Sequence, residues 1–363
     1  MRAIRLHAFG PPENLILDEV PDPEPGPGQV RIAVRAAGVH LLDTVLRQGK
    51  PGPMPAPELP TIPGREVAGT VDALGAGVDP DWLGAGVVAH LGMVPGGYAE
   101  LAVVAVDRLH RVPEVGAEPP SRSAGSGDAE AVTHDLSHRS SAGRYSGAPK
   151  RWSGSAEAVA LIGTGRTAVG ILQFATIRPG TVVLVTSAAG GLGVLLVQAA
   201  KAAGAEVVGV AGGPAKVELV RSLGADHAVD YLADGWADVV RAALGKPVDV
   251  LFDAVGGPVA RAALDLLGPG GTHVVYGWSA EPGADGPPVL LPPGGDRTST
   301  VVLGPAMLAP VGGDIRVLET RALDAWRAGR WQPVVHRFPL ADAAAAHRAL
   351  ETRGTTGKVV LIP

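Results

Sequence analysis

The chain has 363 residues, a formal net charge of -5 and no cysteine, which excludes disulfide bonds, a thiolate nucleophile and zinc bound by cysteine. A domain size of about 150 residues predicts two domains. The acidic balance argues against nucleic acid as the first partner, so a bound phosphate would need a local site.

The N-terminal residues 1–15 carry charges throughout and lack an apolar segment, so we expect no signal peptide. No uninterrupted apolar run reaches the roughly 18 residues of a membrane span. Together with the absence of cysteine, these features lead us to expect a cytoplasmic protein without membrane contact.

Residues 1–117 are rich in turns, and short β-branched stretches between them predict strands. The strands predicted from the sequence are residues 30–36, 67–71, 86–90 and 98–104. Many short strands at this spacing indicate a barrel or a sandwich.

Residues 119–155 differ in composition, with nine serines and five glycines. Such a segment buries too little apolar surface to offset its ordering entropy, which predicts a mostly disordered surface insertion. A solvated loop is the favoured interpretation. Its basic residues leave a tail-like contact as an alternative: Arg122, Arg139, Arg144, Lys150 and Arg151.

From residue 156 strands and helices alternate, and glycines follow the helices. Strands are predicted at 181–186, 206–211, 227–230, 248–252, 272–276 and 299–303, and helices at 192–203, 214–223, 236–244 and 258–267. This pattern predicts an α/β fold with a doubly wound parallel sheet, the Rossmann type. Two further helices (313–328 and 340–351) and a last strand (358–362) complete the chain.

The first strand-to-helix turn of this series is rich in small residues. It reads Ser187, Ala188, Ala189, Gly190, Gly191, Leu192 and Gly193. Small residues here let a pyrophosphate approach the backbone N–H groups at the helix start, which predicts dinucleotide binding, although the pattern differs from a strict G-x-G-x-x-G. A plain tight turn is the alternative.

The end of the second strand indicates which nucleotide is bound. NAD-binding proteins carry an acid there for the ribose hydroxyls, whereas residues 211–216 contain none and end in Lys216. A cation at this place suits a 2′-phosphate and favours NADPH. Alternatively, Lys216 is an exposed lysine of the first helical turn.

Several motifs together resemble the zinc-independent, zeta-crystallin-type quinone oxidoreductases of the medium-chain dehydrogenase/reductase superfamily. They include Ala37-Gly38-Val39-His40-x-x-Asp43, Pro63-Gly64-Arg65-Glu66-x-x-Gly69, Gly96-Gly97-Tyr98-Ala99-Glu100, the turn at 187–193, Asp253-x-Val255-Gly256-Gly257 and Thr356-Gly357-Lys358. The resemblance implies a GroES-like β-barrel domain (1–118 and 310–363), a Rossmann NADPH-binding domain (156–309), a cleft between them and a homodimer.

The sequence also departs from its relatives. Zinc-dependent members have Cys and His where this chain has His40 and Arg65, so we expect no metal. Quinone reductases usually have Asn in place of His40, and Tyr near Lys50 and Pro51.

By the same resemblance, further residues contact the cofactor: Thr167, Tyr231, Val255, Gly256, Gly277, Trp278 and Lys358. The alternative is that Tyr231 only caps a strand and that Trp278 only packs. His347 is interpreted as a structural contact.

The resemblance implies hydride transfer from NADPH to a quinone or related conjugated carbonyl compound. Without zinc, His40 is the predicted hydrogen-bond or proton donor, oriented by Asp43, although both residues could simply stabilise a loop. The alternatives are a reductase of enone or enoyl-thioester double bonds and, in another class, an NADPH-binding regulatory or nucleic-acid-binding protein.

Overall fold

The computed structural model describes residues 1–50, 56–92, 96–112, 154–278 and 288–363. The predicted insertion therefore lies outside the described residues, apart from Gly154 and Ser155 at its end.

The described part contains two main β-sheets joined by helices. The strands are β1 (Arg2–Leu6), β2 (Leu15–Glu19), β3 (Gln29–Val39), β4 (Glu66–Leu74), β5 (Gly86–His90), β6 (Leu101–Ala105), β7 (Leu109–Arg111), β8 (Val182–Val185), β9 (Glu206–Ala211), β10 (His227–Asp230), β11 (Val248–Asp253), β12 (Leu267–Val275), β13 (Thr298–Val301), β14 (Val335–Pro339) and β15 (Lys358–Ile362). The α-helices are α1 (Leu41–Arg47), α2 (Ser155–Ala160), α3 (Arg166–Leu172), α4 (Gly191–Ala202), α5 (Pro214–Ser222), α6 (Trp236–Leu244), α7 (Gly257–Leu264), α8 (Pro305–Leu308), α9 (Ile315–Arg327) and α10 (Ala343–Glu351).

The second sheet is parallel throughout, in the order β10-β9-β8-β11-β12-β13. Its central strands are buried on both faces, which explains why β8 reads as the continuous apolar run VVLV. The strand order reverses beside β8, and this switch point is where the sheet leaves a crevice. The predicted doubly wound Rossmann sheet is confirmed.

The other sheet is mainly antiparallel and combines both ends of the chain. Its path is β14-β15-β3-β4-β5-β7, with β6 also paired to β3. Residues 29–35 of β3 alternate in burial, as expected for a sheet with one face toward a core, and residues 36–39 are all buried. The C-terminal strand β15 pairs with β3, so residues more than 300 positions apart lie side by side.

Several predicted element boundaries differ from the structure. The helix predicted to end at 267 ends at Leu264, and β12 begins at Leu267, because Leu267 packs in the apolar core before a Gly-rich irregularity of the strand. Residue Tyr98 precedes β6 rather than belonging to it. Helix α10 begins at Ala343 after a short 3-10 turn.

The domain limits predicted from the sequence remain a proposal. Helix α9 packs on α3, and its buried Ala322 and Leu323 share a core with residues of β8 and α4. Because of these contacts, we propose that α9 belongs to the domain of the parallel sheet. The predicted assignment of all of 310–363 to the other domain would then not hold for α9.

Candidate active site

The turn after β8 has the geometry of a nucleotide-binding turn. Gly190 precedes the first turn of α4, and a Cβ on Gly193 would lie 2.3 Å from the carbonyl oxygen of Ser187. Gly193 therefore allows helix and turn to pack at contact distance. Ser187 has a positive φ of 51°, an uncommon conformation for a residue with a side chain. The N-terminus of α4 offers backbone N–H groups of the kind that bind phosphate in nucleotide-binding proteins.

This turn is bonded directly to the other sheet. Gly190 forms an isolated parallel β-bridge with Gly357, and the Gly357 N–H donates to the carbonyl oxygen of Ala189 at 2.8 Å. Gly357 is followed by Lys358, the first residue of β15. The predicted nucleotide turn and the strand carrying Lys358 are therefore held side by side by backbone hydrogen bonding.

A cationic cluster lies at the start of α5, after β9. Lys216 Nζ donates to the backbone carbonyl of Arg353 at 2.6 Å. Burial, and next the Arg353 charge, lowers the pKa of Lys216. A Cβ on Gly212 would be 3.3 Å from the Tyr231 hydroxyl, and the charge of Arg353 also influences Tyr231. Two neighbouring cations beside a hydroxyl provide the charge and the hydrogen bonds that bind an additional phosphate group.

The ends of β11 and β12 form the opposite part of the crevice. Asp253 is buried, and its carboxylate accepts hydrogen bonds from the Thr186 hydroxyl at 2.8 Å and the Val255 N–H at 3.0 Å. A Cβ on Gly256 would be 2.8 Å from Trp278 Cβ. Backbone and Trp278 therefore pack closely where the resemblance locates the nicotinamide side.

Gly277 lies in the same close packing. A Cβ there would be 2.8 Å from the carbonyl oxygen of Ala254.

A π-helical segment, Leu161–Gly165, brings the two sheets together. The Thr167 hydroxyl donates to the Gly163 carbonyl at 2.8 Å, and Thr164 Cγ2 would be 3.2 Å from a Cβ on Gly191. A Cβ on Gly163 would be only 1.5 Å from Glu66 Oε1. Glycine at 163 therefore leaves the space that the Glu66 carboxylate occupies.

His40, Glu66 and Lys358 form a compact ionisable cluster. His40 Nε2 lies 2.5 Å from Glu66 Oε1 and 2.7 Å from Lys358 Nζ, while Lys358 Nζ lies 2.8 Å from Glu66 Oε2. Only the Lys358–His40 contact has hydrogen-bond angles; the two contacts of Glu66 are ion pairs without that alignment. Glu66 is fully buried, whereas 28% of the His40 side chain is exposed.

The charges in this cluster depend on one another. Burial by itself would raise the pKa of Glu66, but the charges of His40 and Lys358 outweigh it and hold that pKa well below its usual range. Burial lowers the pKa of Lys358, and the charge of Glu66 offsets part of this effect. A buried carboxylate is thus kept ionised by two partners.

The carboxylate of Asp43 contacts the backbone of His40. Its Oδ2 accepts the His40 N–H at 2.8 Å and the Tyr98 hydroxyl at 3.0 Å, and that hydroxyl lies 3.2 Å from His347 Nε2. The two residues form the reciprocal contacts of a capping box. The orientation of the imidazole by Asp43 stays a prediction. Asp43 sits in the first turn of α1, where its carboxylate reaches back to the residue before the helix.

Most of the site residues predicted from the sequence lie around one crevice. Three further residues of the site were not predicted. In the sequence, Glu66 stands out only as part of the motif at 63–69, although a carboxylate between glycines at the start of a predicted strand is a signal for a site residue. Arg353 and Gly163 carried no local signal, because only the folded chain brings them to Lys216 and Glu66.

No cluster of three His, Asp or Glu side chains that could hold a metal ion is found within the described ranges. The expectation of zinc-independent chemistry rests on the sequence, where His40 and Arg65 replace the ligands of zinc-dependent relatives.

A Rossmann crevice facing a mainly antiparallel β domain is the architecture of two-domain dinucleotide-binding oxidoreductases. The chain matches the family model described as alcohol dehydrogenase GroES-like domain over residues 26–114, and the model described as zinc-binding dehydrogenase over residues 191–296. The predicted GroES-like and Rossmann pairing is therefore confirmed.

Comparison with full-length relatives identifies the family within this class of oxidoreductases. The chain is 32% identical to a 2-haloacrylate reductase of Burkholderia sp, covering 99% of this chain and 98% of that protein. It is 30% identical to a quinone oxidoreductase of Pseudomonas aeruginosa, covering 100% and 99%. A solved mycobacterial protein complexed with NADPH superposes with a TM-score of 0.75 at 30% identity, covering all of both chains. The chain belongs to the quinone oxidoreductase family of the medium-chain dehydrogenase/reductase superfamily.

Proposed function

We propose that this protein is an NADPH-dependent oxidoreductase that reduces quinones or related conjugated carbonyl compounds. The observation that carries the proposal is the contact between Gly190 and Gly357, which joins the nucleotide turn to the strand of the His40–Glu66–Lys358 cluster. The quinone oxidoreductase and the NADPH-complexed protein among its relatives support the same activity.

The residues present suit NADPH rather than NADH. Residues 187–193 and the start of α4 would hold the diphosphate, with Gly191 leaving room beside Thr164. Lys216, Tyr231 and the newly identified Arg353 would hold the 2′-phosphate. Thr167, Val255, Gly256, Gly277, Trp278 and Lys358 would border the nicotinamide end.

When bound, NADPH supplies the hydride; the protein contributes position and a proton. Correct orientation alone is worth roughly 7–11 kcal/mol of the barrier. His40 is the partly exposed member of its cluster, so it is the group that can donate to a substrate oxygen. Asp43 supports this role indirectly, by holding the His40 backbone at the start of α1.

The second candidate substrate is an activated double bond. The 2-haloacrylate reductase relative, at 32% identity, acts on such a compound by its name, and His40 replaces the Asn usual in quinone reductases. A histidine can give a proton to the carbon or oxygen of a reduced enone, whereas an amide cannot. Turnover on matched quinones, enones and 2-haloacrylates separates the two classes.

A screen of NADPH oxidation against ortho-quinones, para-quinones, enones, enoyl thioesters and 2-haloacrylates tests the proposal. Saturable turnover with at least one class is expected, together with calorimetric binding of NADPH that is tighter than that of NADH. Folded protein that binds neither nucleotide would refute the proposal and leave the regulatory or nucleic-acid-binding alternative. A gel-shift assay with residues 119–155 deleted would then examine the basic segment.

We also propose that the protein is a cytoplasmic homodimer without membrane or nucleic-acid partners. The family resemblance and the absence of cysteine support this proposal. No helix of the described ranges has the length and apolarity needed to cross a bilayer. Analytical ultracentrifugation and cell fractionation would test the oligomer and the location.

A further inference from the structure

The π-helical segment Leu161–Gly165 lies between the two halves of the candidate site. On one side, a Cβ on Gly163 would overlap Glu66 Oε1, at 1.5 Å. On the other side, Thr164 packs beside Gly191 of the nucleotide turn, where a Cβ would be 3.2 Å from Thr164 Cγ2. A π-helical turn inside a longer helix is rare and frequently marks a functional site. A shift of this segment would move the carboxylate relative to the nucleotide turn.

Helix α9 packs against the C-terminal end of the π-helical segment. A Cβ on Gly165 would lie 3.0 Å from Ala322 Cβ, so the two helices approach closely at this point. The next residue, Arg166, begins α3, and its Nη1 donates to Glu319 Oε1 at 2.6 Å. Because Glu319 and Ala322 are three residues apart, they lie on the same face of α9. One face of this helix therefore contacts both Gly165 and Arg166.

Glu319 is buried and has a second partner. Its Oε2 lies 3.1 Å from His110 Nε2 in β7, and only 8% of the Glu319 side chain is exposed. Burial by itself would raise the pKa of Glu319, but the hydrogen bond with His110 and the charge of Arg166 outweigh it and lower that pKa. The carboxylate is therefore kept ionised by its two partners and links both of them to α9.

Helix α9 is also bonded to the antiparallel sheet at two further points. Arg316 donates to the carbonyl oxygens of Asp107 and Leu109, at 2.6 and 2.7 Å. Arg327 donates to the carbonyl oxygen of Arg111 at 2.6 Å. These acceptors lie in β7 and in the turn before it. A shift of α9 would therefore break contacts to the antiparallel sheet as well as to α3.

We propose that Glu319 and Arg166 are positioning residues of the active site: they fix the π-helical segment and, through it, the distance between the Glu66–His40 pair and the nucleotide turn. This inference rests on the proposed function, because the distance matters only if hydride and proton reach the same substrate. A misplacement of about 1 Å by a change far from the chemistry can cost roughly 10²-fold in rate. Small shifts of the segment are therefore enough to lower turnover.

A double-mutant cycle tests whether Glu319 acts through His40. Glu319→Gln removes the charge with little change in volume, so Arg166 loses its ionised partner. We expect kcat to fall about tenfold and the NADPH Kd to change less than about threefold, since the nucleotide turn itself is intact. In the His40→Ala background the same change should lower kcat less than about twofold, because the group that it positions is absent. Additive effects would overturn the inference.

Asp324→Asn is the matched control for the cycle. It removes a carboxylate from the same helix, at an exposed ion pair with Arg327, and should keep kcat within about twofold. Equal losses of kcat in Asp324→Asn and Glu319→Gln would indicate a general weakening of α9. That result would overturn the specific role of Glu319.

An exchange of side-chain size tests position without changing any charge, and it also decides if Glu319→Gln does not fold. Gly165→Ala places a methyl group 3.0 Å from Ala322 Cβ and 2.9 Å from Leu161 Cδ2, so the segment must shift by a few tenths of an ångström. We expect kcat to fall roughly fivefold. Adding Ala322→Gly makes room and should restore most of the lost kcat. Unchanged kcat in Gly165→Ala, or no restoration by Ala322→Gly, would overturn the inference.

Turnover by the unmodified enzyme separates this inference from the proposed function. If the unmodified enzyme reduces no substrate class, the proposed function is refuted and the inference with it. If the unmodified enzyme is active and both Glu319→Gln and Gly165→Ala keep its full kcat, the inference alone fails.

Discussion

Gly357 forms a β-bridge with Gly190, so the nucleotide turn of the parallel sheet is bonded to the residue just before Lys358. The φ angle of Gly357 is +60°, and a Cβ there would lie 2.1 Å from the Val334 carbonyl oxygen. This contact links the turn of the proposed diphosphate site to the strand that carries Lys358.

The contact predicts the effect of Gly357→Ala. The new methyl group cannot fit against the Val334 carbonyl, and alanine is strained at positive φ, so we expect a loss of about 2 kcal/mol in unfolding free energy. We also expect weaker NADPH binding, because the turn must shift. Chemical denaturation and calorimetry measure both effects.

A matched control separates the effect of backbone strain at positive φ from the effect of steric overlap at the new methyl group. Gly313 has a φ of +83° and nothing within 4 Å of its Cβ position. Gly313→Ala should therefore cost about 1 kcal/mol and leave NADPH binding unchanged. Equal behaviour of the two variants would contradict a special role for the Gly357 contact.

The cationic cluster at Lys216 predicts nucleotide preference. Lys216→Ala should raise the NADPH Kd roughly 10- to 100-fold, the size of one charge-assisted hydrogen bond of about 1.5–3 kcal/mol. The NADH Kd should change less than twofold, since NADH lacks the extra phosphate. Isothermal titration with both nucleotides measures the difference.

Arg353→Ala should have the same selectivity, because the Arg353 charge acts on both Lys216 and Tyr231. Lys246→Ala, which removes a surface charge paired with Glu206, is the control and should affect neither nucleotide. Equal weakening of NADPH and NADH by Lys216→Ala would argue against a 2′-phosphate site.

Because part of the His40 side chain is exposed, we expect its removal to lower turnover without weakening NADPH binding. His40→Ala should lower kcat roughly 10²-fold, the lower range for loss of an acid catalyst, and leave the NADPH Kd within twofold. His7→Ala is the control, since His7 is a surface residue paired with Asp18. Unchanged kcat on every accepted substrate would remove His40 from the chemistry.

The buried His347 predicts a pH dependence of stability. Burial lowers the pKa of His347 from 6.5 to about 4, so the unfolded chain takes up a proton first as the pH falls. The contribution of neutral His347 is present above about pH 6.5 and is lost as the pH falls toward 4. Between pH 7 and 5 this amounts to about 2 kcal/mol.

The variant His347→Gln keeps a polar partner for Tyr98 but does not titrate. Its unfolding free energy should fall about 2 kcal/mol less than that of the unmodified protein between pH 7 and 5. Denaturant titrations at both pH values measure this. Equal losses of unfolding free energy in the two proteins between pH 7 and 5 would show that His347 does not cause the loss of stability in acid.

Local patterns in the sequence predicted most of the parallel sheet. Continuous apolar runs such as Val182–Val185, with glycines at helix ends, specify buried strands and helices because these signals act over a few neighbouring residues. The strand ranges 86–90, 206–211, 227–230 and 358–362 agree with the structure. By contrast, β12 began earlier than predicted, because burial of Leu267 outweighed the turn signal of the glycines that follow.

The sequence by itself determined the Rossmann series, the nucleotide turn and the absence of cysteine ligands, because these depend on composition and on contacts between near neighbours. The tertiary structure alone decided that Glu66 and Lys358 hold His40 and that Arg353 joins Lys216. Those contacts link residues that are far apart along the chain, in one case by 318 positions. The contact between Lys358 and His40 forms only when β15 pairs with β3, and no local pattern encodes that pairing.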